Sequence, residues 1–287
     1  MSEPVRPDPP AGARNLVVLV LDSLRFDTWQ EVAPANLGRL GSVERRWSYA
    51  SWTSPSHVNL LTGLVPHTSP RHVHASVLYR EEYARYGERL GVAGIEFRSL
   101  LPGLWLPSFL RDGLGYRTGA LVSMPVLNPA TVVNRGFDRY ELMPTHNDLG
   151  AMVRSLTFND DRPSFWLLNA GETHYPYAVA GDDAMEWPRL HGVLGAVRAL
   201  GSEEPEPASG APAFDPDQLA ELHRRQLRAL EHVDRIVAAL YAAVPDDTWL
   251  IVTSDHGELF GEDGYFGHGP IAHEKVLEVP FVEGVRP

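Results

Sequence analysis

No cysteine occurs among the 287 residues. Disulfides, thiolate zinc sites and a cysteine nucleophile are therefore excluded. Positive charge is scarce: 25 Lys and Arg stand against 37 Asp and Glu, a formal net charge of −12. So acidic a chain is poorly suited to nucleic acid or an anionic membrane, although a bound metal would still supply a local positive site. Long hydrophobic runs are missing too. The apolar run ending at Leu21 is far too short to span a bilayer, and residues 1–14 are proline-rich and polar without the apolar stretch of a signal peptide. The expectation is a cytoplasmic protein with no nucleic-acid and no membrane partner. No internal repeat is present.

What is there suits a globular domain. The length is enough to bury a real core, and 44% apolar with 22% charged residues is ordinary. Asn15-Leu-Val-Val-Leu-Val-Leu21, ending at Asp22, reads as a strand buried on both faces, as in a parallel sheet. Thr248-Trp-Leu-Ile-Val-Thr253 ends at Ser254-Asp255-His256 in the same way. Ser164-Phe-Trp-Leu-Leu-Asn169 ends near Glu172 and His174, and Thr118-Gly-Ala-Leu-Val122 is a fourth strand. Helices are predicted over residues 55–61, with Pro55 in the first turn, and over 216–243, where Leu219, Leu222, Leu230, Val233, Val237 and Leu240 share a face. The predicted fold is α/β: a mostly parallel central sheet with helices on both faces, as a single domain. Residues 1–14 are expected as a flexible lead-in and 15–287 as the folded domain. Residues 181–215 carry an expected surface insertion, rich in Gly, Pro, Glu and Ser from 201.

Polar residues gather just past the carboxyl ends of these strands, where open α/β sheets bind ligands. Asp255 and His256 are good ligands for zinc or a similar divalent ion; equally, the pair could cap a following helix. Asp22 suits a ligand or a turn residue. Arg25 and Asp27 could pair with each other or brace the loop. Thr53 precedes a helix whose free N–H groups and dipole would seat a phosphate or sulfate, but a threonine N-cap is an equally ordinary reading.

Taken together, these segments resemble the alkaline-phosphatase/sulfatase superfamily. Leu21-Asp-Ser-Leu-Arg-Phe-Asp27 looks like its opening metal-ligand loop. Thr53-Ser-Pro-Ser-His-Val-Asn-Leu-Leu-Thr-Gly63 resembles the sulfatase signature, continued by Pro66-His67. Gly115-Tyr-Arg-Thr118, Gly136-Phe-Asp138, Glu172-Thr-His-Tyr-Pro-Tyr177 and His232-Val-Asp234 match further landmarks. Thr253-Ser-Asp-His-Gly-Glu258, Gly267-His-Gly269 and Val279-Pro280 match the closing ligand segment. The likeness runs from about residue 15 to 283. It implies Asp22, Thr53, Asp255 and His256 as metal ligands, Thr53 as nucleophile, and His174 and His268 as catalytic, substrate-contacting histidines. His57 stands at the position of the signature arginine, as a further substrate contact.

The departures from the family pattern shape the expected chemistry. Thr53 stands where sulfatases carry the Cys or Ser that becomes formylglycine, and threonine cannot give that aldehyde. Threonine there is instead what phosphoethanolamine transferases and related phosphodiesterases use. Ser23 replaces a second Asp, and Val122-Ser-Met-Pro-Val126 lacks the Lys and His of the sulfatase segment. The expected cofactor is one divalent metal, zinc before manganese or calcium; a second ion would need further ligands, for which Glu172, His174 or His268 are the candidates. The expected function is a metal-dependent phosphoester or phosphodiester hydrolase or phosphoryl transferase. A sulfate- or phosphonate-ester hydrolase without formylglycine and a non-catalytic anion- or metal-binding relative are the alternatives. The partner is then a small-molecule phosphate or sulfate ester. His72, His74 and His273 carry no assignment, while His146, His191 and His223 read as surface or packing residues. The chain also ends soon after the Val-Pro landmark, without a second subdomain, so the site is expected to be open or walled by a second copy in a homo-oligomer.

Overall fold

The computed structural model describes residues 14–68, 75–95, 105–159, 161–179, 214–269 and 271–287. The lead-in before Arg14, most of the 181–215 insertion, and His72, His74 and His191 lie outside these. A seven-stranded sheet forms the centre. In chain order its strands are β1 (Leu16–Leu21), β2 (Glu44–Trp47), β3 (Arg117–Val122), β4 (Arg139–Leu142), β5 (Ser164–Ala170) and β6 (Trp249–Thr253). After a small hairpin of β7 (Leu259–Phe260) and β8 (Phe266–Gly267), the sheet gains β9 (Glu278–Val285). The spatial order is β2-β9-β6-β1-β5-β3-β4. From β6 to β4 all neighbours are parallel, whereas β9 runs antiparallel to both β6 and β2.

The continuous apolar runs are explained by layers on both faces. Leu16, Val18 and Val20 of β1 join one core with Leu60, Leu61, Tyr83, Tyr86 and Leu90, from α2 (Thr53–Leu61) and α3 (Ala75–Leu90). Val17, Leu19 and Leu21 point the other way. They meet Trp29 of α1 (Phe26–Val32), Met152 of α4 (Leu149–Ser155) and Leu230, Val233 and Val237 of α5 (Pro216–Ala243). Period-2 alternation thus sends successive side chains into two cores, each fully buried Leu or Val contributing roughly 1.5–3 kcal/mol. All six apolar residues predicted for one face of α5 are buried. Asp215 caps that helix by accepting from Asp217 N at 2.9 Å, and Pro216 follows at the first helical position.

One boundary differs from expectation. The helix predicted from Pro55 begins at Thr53, and the capping position is Trp52, extended and without a side-chain cap. The first helical N–H groups have no intrahelical partner anyway, so proline is tolerated anywhere in the first turn and does not mark the first residue. Thr53 is therefore no N-cap, and its hydroxyl is left for other work. The sheet sets the site. β1 lies between β6 and β5, so their carboxyl ends deliver Asp22, Asp255-His256 and the 171–174 loop to one crevice, where the chain order reverses direction across the sheet. Among the described residues no helix is long and apolar enough to cross a membrane.

Candidate functional site

At the end of β1 the chain turns sharply: Ser23 adopts a left-handed conformation, φ 60°, unusual for a residue other than glycine. The turn aims Ser23 N at Asp255 Oδ1, 3.2 Å away, and its hydroxyl at Asp22 Oδ1, also 3.2 Å. Two acidic loops from neighbouring strands are thereby tied together. Asp22, Asp255 and His256 are fully buried, and one ligand atom from each lies within 4.8 Å of the others. His256 Nε2 is 3.4 Å from Asp255 Oδ2 and 3.9 Å from Asp22 Oδ1, while its Nδ1 donates to Gly257 O at 2.9 Å. Thr53 Oγ1 lies 3.3 Å from the same Nε2.

Several polar residues hold these candidate ligands, and sequence reasoning missed them. Asn169, at the end of β5, donates from Nδ2 to Asp22 Oδ2 at 2.9 Å and accepts from Ser123 N and Met124 N. Thr173 Oγ1 donates to Asp22 O at 2.8 Å. Gln226, on the buried face of α5, donates to Ser23 O and Thr173 O and accepts from Thr28 Oγ1. Ser48 donates its hydroxyl to Asp255 O. Beneath the loop, buried Arg25 makes a two-pronged pair with Asp27 at 2.8 and 2.6 Å and reaches Glu262 at 2.7 Å. The arginine and aspartate thus do both things read into them, pairing and bracing.

The electrostatics favour a cation. Burial, then the charge of Asp255, pushes the Asp22 carboxyl above its ordinary pKa. Burial, then the charge of His268, drives His256 down to about 3, leaving a neutral imidazole able to ligate. Asp255 Oδ2 is buried and has no hydrogen-bond partner. An acceptor of that kind, facing a second carboxylate and a neutral imidazole, is what a divalent ion satisfies, so the donor set passes the test of fit.

The remaining predicted residues divide. His268 is brought to the site: its ring centroid lies 4.2 Å from that of His256, and its Nδ1 is 2.9 Å from Glu258 Oε1. Burial alone would make this imidazole less basic, but the bond to Glu258 and that carboxylate's charge outweigh it and raise the pKa. His174 stands beyond, its ring 5.3 Å from His268 and its Nδ1 donating to Tyr175 O. His57 lies beneath Thr53, almost fully buried. Its Nδ1 donates to Thr53 O at 2.9 Å and its Nε2 has no partner. Glu172 goes elsewhere. It turns to accept from Leu149 N at the start of α4, 2.7 Å away, and burial raises it to about 7. Among the described residues only Asp22, Asp255 and His256 form a group of three donors; of the candidates for a second ion, Glu172 is engaged elsewhere while His174 and His268 stand near one another. Of the unassigned or packing histidines, His273 caps α6 (Glu274–Leu277) by accepting from Lys275 N, and His223 stacks on Phe260.

A sulfatase family model matches residues 152–282. No curated protein matches the sequence. Solved structures with the same fold include the zinc complex of the C-terminal periplasmic domain of EptC from Escherichia coli, 14% identical with a TM-score of 0.54, covering 96% of this chain and 73% of that one. The soluble domain of lipooligosaccharide phosphoethanolamine transferase A from Neisseria meningitidis is 13% identical, TM-score 0.52, with 96% and 78% covered. Phosphonate monoester hydrolase of Agrobacterium radiobacter is 17% identical, TM-score 0.54, with 94% and 68% covered. At these identities the likeness is one of fold. The sulfatase family model thus matches the C-terminal strands, residues 152–282, on a fold that these solved structures share along nearly the whole chain.

Proposed function

We propose that the protein is a metal-dependent phosphoester or phosphodiester hydrolase, or a phosphoryl transferase, with Thr53 as nucleophile. The observation that carries this is the threonine hydroxyl 3.3 Å from His256 Nε2, beside the only three-donor group among the described residues. Asp22, Asp255 and His256 would hold the ion, with Thr53 beside it. One imidazole and hard carboxylate oxygens without thiolate suit zinc, and the zinc complex of the E. coli neighbour supports that choice over manganese or calcium. The ion supplies, when bound, a Lewis acid that lowers the pKa of a nearby hydroxyl and offsets phosphoryl charge.

The residues do the rest. Helix α2 opens at Thr53, so its free N–H groups and dipole face an anion at the nucleophile. Thr53 Oγ1, its proton released to water, attacks phosphorus in line. The new Oγ–P bond forms as the ester P–O bond breaks, and the departing oxygen takes its proton from His268, which Glu258 holds in place through Nδ1. His174 and His268 stabilise charge on the transferred group, and His57 Nε2 is the remaining candidate contact from below. Water then releases phosphate from Thr53, or an acceptor alcohol takes the group. The superfamily fold and the intact ligand set support an enzyme over a non-catalytic relative.

The test is a comparison of kcat/KM on matched aryl phosphate, phosphodiester, phosphonate and sulfate esters, with zinc, manganese and calcium each supplied. Phosphate esters should lead, because threonine offers no formylglycine hydrate. A clear preference for sulfate under every metal would put the sulfatase reading first. No turnover of any ester by the metal-loaded protein would favour the binding relative.

A further inference from the structure

A second polar cavity lies at the opposite end of the sheet. It has a volume of about 300 Å³ and is walled by the first residues of three adjacent strands: Arg117 of β3, Arg139 of β4 and Ser164 of β5. Arg162, just before β5, and the ring of Trp166 complete the wall used here. The proposed catalytic residues follow the carboxyl ends of β1, β5 and β6. The cavity is therefore separated from them by the length of β5, on the order of 20 Å.

Three guanidinium groups on one small cavity are unexpected in a chain of net charge −12. They are also weakly engaged. Arg162 makes no ion pair among the described residues. Among the described residues Arg117 pairs only with Asp161, at 3.0 Å, and both side chains are about half exposed or more. Arg139 splits between Ser155 O and exposed Glu141, and its guanidinium carbon lies 5.6 Å from the Trp166 ring centroid. Exposed pairs of this kind contribute little and exchange readily for a better-placed anion. The carboxylate inside the wall, Asp138, is committed to Thr118, accepting from its N at 3.0 Å and its hydroxyl at 3.3 Å.

The second observation is Ser164. It is 2% exposed, it lines the cavity, and its Oγ has no hydrogen-bond partner. Its backbone N is already satisfied by Asn15 Oδ1 at 2.8 Å, so only the hydroxyl is idle. Buried hydroxyls are nearly always paired, and one left idle on a wall that carries Arg162 and two arginines whose ion pairs are only with exposed carboxylates is a place for a ligand oxygen. Planar, multi-donor arginines match the oxygens of a phosphate, and Trp166 offers an apolar surface beside them. The volume sits at the small end for small-molecule sites.

We propose that this cavity is a second anion site, remote from the catalytic end, that binds the phosphate group of a small phosphorylated compound through Arg117, Arg139, Arg162 and the Ser164 hydroxyl. Calorimetric titration of the chelator-treated full-length protein with inorganic pyrophosphate tests it. Wild type should bind one equivalent with an affinity that falls as salt rises. Arg162→Ala should weaken binding about tenfold or more, with an unchanged melting temperature. Ser164→Ala removes only an unpaired hydroxyl, so it should weaken binding by a smaller factor without loss of stability. His268→Ala, at the catalytic end, should leave the titration intact. Absence of binding overturns the proposal. So does binding that persists in Arg162→Ala, or that disappears in His268→Ala.

Discussion

Asn169 sits at the join between the proposed metal ligands and the sheet, and Asn169→Ala separates the two. The substitution removes three buried hydrogen bonds, but their loss is unequal. Ser123 N keeps its bond to Asn169 O at 3.0 Å, so it remains satisfied. Met124 N is left without an acceptor, at about 1–3 kcal/mol. Asp22 Oδ2 loses a donor to a buried carboxylate, about 1.5–3 kcal/mol more. The sum, roughly 2.5–6 kcal/mol, is a large part of a typical stability of about 5–15 kcal/mol. Asp22 is also freed to rotate, and loss of a partner of this kind weakens metal binding by about 10–100-fold. Urea denaturation in chelator should show the first effect and zinc titration against a competing dye the second. A variant that loses under about 1 kcal/mol and binds zinc as wild type does would show that Asn169 neither supports nor orients Asp22.

Other substitutions probe other parts. A Cβ on Gly257 would lie 2.1 Å from Lys275 O, so Gly257→Ala must push His256 and its loop aside. It should cost about 1–3 kcal/mol or more and lower zinc occupancy, measured by melting and metal analysis. Thr53→Ala should lower turnover by about a thousandfold or more with the melting temperature unchanged, whereas Thr53→Ser should keep measurable activity. Asp27 is pushed up by burial, but Arg25 and then Lys275 outweigh this and hold its carboxyl below the ordinary range. Its folded pKa is thus below its unfolded one, so its stabilisation is full above about pH 4 and is lost as pH falls further. Lys275→Met should flatten the fall in stability on acidification below that point, read by denaturation at a series of pH values.

The strands, the long helix and the ligand loops were legible because burial on two faces writes continuous apolar runs, and because ligands must follow them at the carboxyl ends. Asp22, Asp255 and His256 stand out in sequence since each ends such a run. The supporting residues do not. Asn169 and Gln226 are ordinary polar residues, and they reach Asp22 and Ser23 across 147 and 203 positions. Only the sheet order and the packing of α5 on α1 bring them there. Glu172 shows the converse. Its place after a buried strand suggested a metal role, yet a helix start beside it claimed the carboxylate. The Arg117, Arg139 and Arg162 cavity left no shared motif, because its members lie at the starts of different strands and meet only through register.

The most direct measurement is peptide mass analysis after acid quench of the zinc-loaded protein turning over an aryl phosphate. The expected result is one phosphoryl group on the peptide carrying Thr53, absent after chelation and absent in Thr53→Ala. Turnover that continues in Thr53→Ala at the wild-type rate, or a phosphoryl group trapped on a different residue, would contradict the assignment of Thr53 as nucleophile.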